Sequence, residues 1–246
     1  MNEMISNLQI IFITILGSVI PIYLGLMFFS ENIKINKIKN YVSVGILAII
    51  FFDLMEQTAG LGLETTNSII RIILVFTFSV GLLIPAYYMG YINSVKKHFE
   101  EKDIYIVYIW AIAIGVHGIA EGMIIGKEYI SGFLSLTPNQ LSSFALHKVF
   151  EGMTIASLIT NQINRRKIFT LSLISGLPIG LGTILGIFNV SSLIPLYLFS
   201  VGAGSTVYIF IQLSKRVTFD VSKPSGYLWV LIGIFMMYIA GLLHQF

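Results

Sequence analysis

The chain has no cysteine, which removes disulfide frameworks, thiolate metal sites and thiol redox chemistry together. Charge is scarce as well. Only 11% of residues are Asp, Glu, Lys or Arg, against about 25% in a soluble globular domain. That is too little polar surface to keep a body of 246 residues in water. The formal net charge of +3 is small and scattered, which excludes a nucleic-acid-binding face. Histidine is limited to four residues, so imidazole chemistry must come from His98, His117, His147 and His244.

What is plentiful is apolar sequence, 56% of the chain. Stretches long enough to cross a hydrocarbon core, about 20 residues each, fall at 8–29, 41–59, 68–92, 104–126, 139–160, 168–188, 193–213 and 226–244. The expected fold is an all-α integral membrane protein of eight transmembrane helices. With short connections and no room for a soluble domain, residues 1–246 form a single polytopic domain. The first stretch is expected to be a span and not a cleaved signal peptide, because residues 1–7 hold Glu3 and no positive side chain.

Eight spans put both termini on one side, and the basic residues choose the side. Lys34, Lys37 and Lys39 fall in the first connection, and Lys96, Lys97 and Lys102 in the third. Arg165, Arg166 and Lys167 fall in the fifth, and Lys215, Arg216 and Lys223 in the seventh. Lys127 is the exception among the even connections, and Arg71 sits just inside the third span. The positive-inside rule makes the odd connections cytoplasmic and both termini extracytoplasmic. The expected location is the cell membrane, as a multi-pass protein with the lipid bilayer as its main partner.

One segment repeats. His117-Gly118-Ile119-Ala120-Glu121-Gly122-Met123-Ile124-Ile125-Gly126 in the fourth span echoes His147-Lys148-Val149-Phe150-Glu151-Gly152-Met153-Thr154-Ile155-Ala156 in the fifth. The two spans run antiparallel, so the copies imply an inverted-repeat relation between helices 4 and 5, a relation that suits a transporter site near the midplane. In each copy His and Glu are four apart, on one helix face. Two facing helices then offer two imidazoles and two carboxylates from His117, Glu121, His147 and Glu151. That mixed shell suits zinc and other first-row divalent ions, whereas an all-oxygen shell suits magnesium or calcium. The bland alternative is hydrogen-bonded glue between helices, and two matching copies weigh against it, because ionisable groups inside a membrane are rare and usually functional. Gly118, Gly122, Gly126 and Gly152 are expected to allow close helix approach.

These paired segments resemble the fourth- and fifth-span signatures of the ZIP (Zrt-, Irt-like protein) metal transporters, roughly His-x-x-x-Glu-Gly in both helices. The resemblance extends to eight spans, outward termini and a cytoplasmic third connection, and so covers essentially the whole chain. Phe51-Phe52-Asp53-Leu54-Met55-Glu56 resembles the family's second-span segment, with Asp53 where many members have His. Ser175-Gly176-Leu177-Pro178 resembles the start of its sixth-span segment. Departures fall at Gly118, where many members have Asn, at Lys148, where many have a ligand, and near Ile179, where the family has a carboxylate. Ala120 and Phe150 replace prolines often found before each Glu. What the resemblance implies is one primary metal site without the adjacent second one, and transport toward the cytoplasm.

The expected function is transport of a divalent transition metal, zinc first, with iron, manganese, cobalt or cadmium as alternatives. The ion is substrate; no cofactor is expected, and a homodimer is one assembly open to the chain. Asp53 and Glu56, three apart on one face, are candidates for the outer approach, with Arg71 as an optional partner. Lys148 is placed on the pathway, either pairing with Glu151 or Glu121 or snorkelling toward a cavity. Met123 and Met153 repeat with the motif but read as filler. His98 reads as a solvated loop residue and His244 as a headgroup contact. Pro21, Pro85 and Pro178 mark bends. Two other classes compete. A membrane-embedded metal hydrolase needs an open coordination position and a general base beyond the ligands. A retinal-type photoreceptor built on Lys148 predicts seven spans.

Overall fold

A chain in lipid must satisfy its backbone internally, and helices do so within one segment. The computed structural model describes residues 2–30, 36–63, 67–95, 102–132, 137–159, 163–217 and 225–242. Among these the protein is helical and contains no strand. The elements are α1 (Asn2–Ser30), α2 (Asn36–Leu63), α3 (Ser68–Val95), α4 (Lys102–Ile130), α5 (Pro138–Leu158), α6 (Arg165–Gly176), α7 (Pro178–Ile187), α8 (Leu193–Ser214) and α9 (Ser225–Leu242). Six helical segments have the length and apolar composition to cross a membrane: α1, α2, α3, α4, the α6–α7 pair and α8. The multi-pass membrane class expected from composition therefore stands. The apolar stretch of α9 is shorter, Ser225–Ala240, and α5 carries His147, Lys148 and Glu151 within its 21 residues.

Local chemistry sets the helix ends. Thr137 caps α5 in a reciprocal box: its hydroxyl accepts from Gln140 N at 3.3 Å, and Gln140 Oε1 accepts from Thr137 N at 3.2 Å. Pro138 then occupies the first turn, where a missing N–H costs nothing. Asn164 caps α6 by accepting from Lys167 N at 2.8 Å, so the helix starts at Arg165, ahead of the apolar run. Pro178 divides α6 from α7, whereas α1 and α3 continue through Pro21 and Pro85. Lacking an N–H, Pro178 leaves Ile174 O without its helical donor, and that carbonyl lies beside Gly115 of α4.

The surface is inverted relative to a water-soluble protein. α3 alone exposes Ile69, Ile72, Val75, Phe76, Leu83, Ile84, Tyr87 and Tyr91, a patch far larger than a soluble monomer carries. Polar side chains point inward. Thr154 accepts from Trp110 Nε1 at 2.8 Å, Ser143 donates to Ala240 O at 2.6 Å, and Thr14 and Thr183 share a 3.1 Å contact. Lys39, expected in the first connection, instead lies inside α2, 3% exposed, with Nζ donating to Phe29 O and Ala156 O at 3.1 and 3.2 Å. There it caps the carbonyl ends of α1 and α5. Arg216 Nη1 donates to Leu158 O, 2.8 Å away, at the same end of α5. Lys34, Lys96, Lys97, Lys223, His98 and His244 lie outside the described residues.

Glycines set the closest approaches, and they come in reciprocal pairs. A Cβ on Gly25 of α1 would stand 2.1 Å from Val149 O of α5, and one on Gly152 of α5 would stand 2.4 Å from Ile22 O of α1. The same exchange joins α7 and α4, where Gly182 meets Ile119 O and Gly122 meets Ile179 O, both at 2.1 Å. Gly45 of α2 and Gly233 of α9 sit on each other's helices through Val230 O and Val42 O, and Gly204 of α8 and Gly81 of α3 do so through Phe78 O and Val201 O. α1 therefore corresponds to α6–α7, α2 to α8, α3 to α9 and α4 to α5. The sequence carries the trace: Ser18, Pro21, Ile22, Leu24 and Gly25 match Ser175, Pro178, Ile179, Leu181 and Gly182 in order and spacing. Likewise Val42, Gly45, Ile50, Phe51 and Leu54 match Val201, Gly204, Ile209, Phe210 and Leu213.

Gly118 departs from its expected role. The nearest atoms to a Cβ there are 3.8 Å or more away, so it does not bring helices together. The close contacts of Gly122 and Gly152 are made with α7 and α1, not between α4 and α5.

Candidate metal centre

α4 and α5 each contribute one His and one Glu, and the chain brings all four to one point. His117, Glu121, His147 and Glu151 each offer a ligand atom, and these atoms lie within 4.8 Å of one another. His117 Nε2 is 2.9 Å from Glu121 Oε1 and 3.5 Å from Glu151 Oε1. His147 Nε2 is 3.2 Å from Glu151 Oε1 and 3.9 Å from Glu121 Oε1. Adjacent ligands of a tetrahedral ion with bonds of about 2.0 Å stand about 3.3 Å apart. The four nitrogen–oxygen separations straddle that edge length, so the side chains need only small adjustments to close around a zinc-sized ion.

Burial makes this cluster chemically unusual. The Glu151 side chain is 0% exposed and that of Glu121 12%; His117 and His147 are also buried. Two carboxylates at such low dielectric repel each other strongly and require a cation. Lys148 supplies one: Nζ donates to Glu151 Oε1 at 2.8 Å and also to Glu121 Oε2. It is 1% exposed, so it pairs with the carboxylates and does not snorkel to water. Its ammonium also lies 5.6 Å from the centroid of the Phe144 ring, within cation–π range. Glu151 Oε2, by contrast, is buried and makes no hydrogen bond among the described residues.

The surroundings hold the ligands in place. His117 Cβ is 3.2 Å from where a Cβ on Gly202 would stand, and its ring lies 6.4 Å from that of Phe199. Gly202 thus lets α8 approach His117, a role not evident from the His-x-x-x-Glu-Gly motif. The Trp110–Thr154 bond ties α4 to α5. Ile179 is 0% exposed and packs with Ile10, Ile125 and Phe144. Met123 and Met153 are buried in the helical interior.

Asp53 and Glu56 stand apart from the cluster's polar contacts. Asp53 is half-buried and accepts from Gln57 Nε2 at 3.4 Å, while Glu56 is exposed. Gln57 lines a cavity of about 540 Å3 together with Met123, Lys127, Glu128 and Pro195. Arg71 is exposed on α3.

Compared with known proteins, the chain matches no family model and no curated sequence.

Proposed function

We propose that this protein is a ZIP-type transporter that carries a divalent transition metal, zinc foremost, across the cell membrane toward the cytoplasm. The observation that carries the reading is the buried His117–Glu121–His147–Glu151 cluster inside an apolar helical body. Two imidazoles and two carboxylates select first-row divalent ions over magnesium and calcium. The carboxylates supply the charge that a dication needs at low dielectric.

In this reading all eight apolar runs span the bilayer, with α6 and α7 as one bent span and both termini outside. Two observations support it. Lys39, in the first turn of α2, and Arg216, just after α8, both bind carbonyls at the C-terminal end of α5; the start of α2 and the ends of α5 and α8 thus meet on one face, in keeping with the side that the positive-inside rule assigns them. The reciprocal glycine contacts pair the first three spans with the last three around α4 and α5, the arrangement from which inverted-repeat transporters alternate access to a central site. The ion reaches the cluster through the outer half of α2 and α4, where Asp53 and the Gln57–Glu128 cavity lie.

The test is uptake of a panel of divalent ions by vesicles containing the purified protein, with and without a pH gradient. Saturable uptake of zinc or another first-row ion, absent for magnesium and calcium, is the expected result. Intact, oriented protein that moves no divalent ion would remove the proposal.

A further inference from the structure

Lys148 draws on the same oxygen that an ion would use. Glu151 Oε1 is the carboxylate atom nearest His147 Nε2 and faces His117 Nε2 as well, at 3.2 and 3.5 Å, so of the two Glu151 oxygens it is the one presented for coordination. Lys148 Nζ sits 2.8 Å from that atom. An ion bonded to it at about 2.0 Å would place a dication and an ammonium within roughly 5 Å of each other at low dielectric, where like charges repel strongly. Both cannot hold Glu151 Oε1 in full.

Resting on the metal-site reading above, we propose that Lys148 is a resident exchange cation: it bridges Glu121 and Glu151 when no ion is bound, yields Glu151 Oε1 to the arriving ion, and retakes it as the ion leaves. The structure offers the ammonium somewhere to remain during exchange. Nζ also donates to Glu121 Oε2, the oxygen turned away from His117, and Glu151 Oε2 is a buried acceptor with no hydrogen bond among the described residues. Rotation about the carboxylate carries Nζ from Glu151 Oε1 to that second oxygen while Oε1 binds the ion. The lysine keeps its proton and its charge throughout.

The exchange has a functional consequence. Without Lys148, two buried carboxylates would face each other whenever the ion departs, and the ion would be held too tightly to release. With it, the unloaded cluster carries one net negative charge instead of two, at the expense of affinity. The same ammonium occupies the flank where a second dication would sit, so the cluster takes one ion per chain. The matching position in α4 is Gly118, which contributes no charge, so the device is confined to α5.

Two substitutions of opposite sign test this in the full-length protein, by calorimetric titration with zinc in detergent and by zinc uptake into vesicles. Lys148→Met removes the competitor: zinc should bind at least about tenfold tighter, since a charge-assisted hydrogen bond to Glu151 no longer has to be given up, and maximal uptake should fall because release is slower. Lys148→Arg substitutes a planar fork that grips both carboxylates, and zinc should bind more weakly than in the wild type. Lys148→Arg keeps a cation on the flank and so one ion per chain. Structural damage can only weaken binding, so the tighter Lys148→Met variant is diagnostic; if that variant does not survive purification, Lys148→Arg with unchanged affinity overturns the exchange by itself. Equal or weaker zinc binding by intact Lys148→Met also overturns it. Tighter binding by Lys148→Met with no uptake by the wild type would uphold the exchange and remove transport. Wild-type uptake with unchanged Lys148→Met affinity would do the reverse, and absence of zinc binding throughout would remove both.

Discussion

The two halves of the cluster share a scaffold but differ in charge. α4 and α5 present the same His-x-x-x-Glu-Gly spacing, and each rests its glycine on a corresponding partner helix, Gly122 on α7 and Gly152 on α1. Beyond that they diverge. The α5 half carries Lys148 and a Glu151 side chain that is 0% exposed, whereas the α4 half carries Gly118 and a Glu121 side chain that is 12% exposed. Glu151 Oε1 gathers Lys148 and both histidines, while Glu121 splits its oxygens between His117 and Lys148. Symmetric backbone packing thus supports an asymmetric electrostatic site, in which α5 holds the core of the cluster and α4 completes it.

The largest expected effect follows from removing Glu151. Glu151→Ala should abolish saturable zinc uptake and also destabilise the protein, because the buried Lys148 ammonium keeps only its bond to Glu121. Glu121→Ala should abolish uptake with a smaller loss of stability, since Glu121 reaches partly exposed surroundings. Thermal unfolding of both variants in the same detergent checks the order, and equal losses would break the asymmetry. His117→Ala and His147→Ala should each abolish uptake while leaving membrane expression intact, and either one transporting at the wild-type rate would not be a ligand.

The shared scaffold is tested next. Gly122→Leu and Gly152→Leu should disrupt packing to a similar degree, because a Cβ at either position meets a backbone carbonyl at 2.1 or 2.4 Å and neither helix can shift without moving a ligand. Gly118→Ala should be well tolerated, its Cβ meeting nothing nearer than 3.8 Å. The yield of monodisperse protein separates these outcomes; loss of folded protein in Gly118→Ala and not in Gly122→Leu would invert the packing account.

Asp53→Asn should have the smallest effect. A carboxylate on the approach concentrates cations ahead of the site, so the variant should raise the zinc concentration for half-maximal uptake more than it lowers the maximal rate, and the difference should shrink at high salt. An unchanged concentration dependence would place Asp53 off the path.

Much of this was legible in the sequence, for reasons that also explain what was not. Scarce charge and long apolar runs require a lipid environment, and every described helix overlaps one of the predicted runs. Helix ends moved where caps outrank hydropathy, as at Asn164, which draws Arg165–Lys167 into α6. The repeat in α4 and α5 was visible because its ligands are rare residue types. The companion repeat, Ser18 to Gly25 against Ser175 to Gly182, passed unread because Ser, Pro, Ile, Leu and Gly are common in apolar helices and only three-dimensional contacts give their spacing meaning. For the same reason the glycines of the motif announced close approach without revealing toward which helix. Hydropathy puts Lys39 in the first connection, yet carbonyls at the ends of α1 and α5 hold it inside the helical body. The pairing of Lys148 was one of two options in the sequence, since a long side chain can reach water or a neighbour, and only the placement of Glu121 decides between them.

The most direct test of the central claim is zinc-edge X-ray absorption on the purified protein loaded with one equivalent of zinc, beside the His147→Ala and Glu151→Ala variants. The account predicts four light-atom ligands at about 2.0–2.1 Å, with the outer-shell signature of two imidazoles in the wild type and of one in His147→Ala. A six-coordinate shell of oxygen without imidazole, or a spectrum identical in all three proteins, would contradict it.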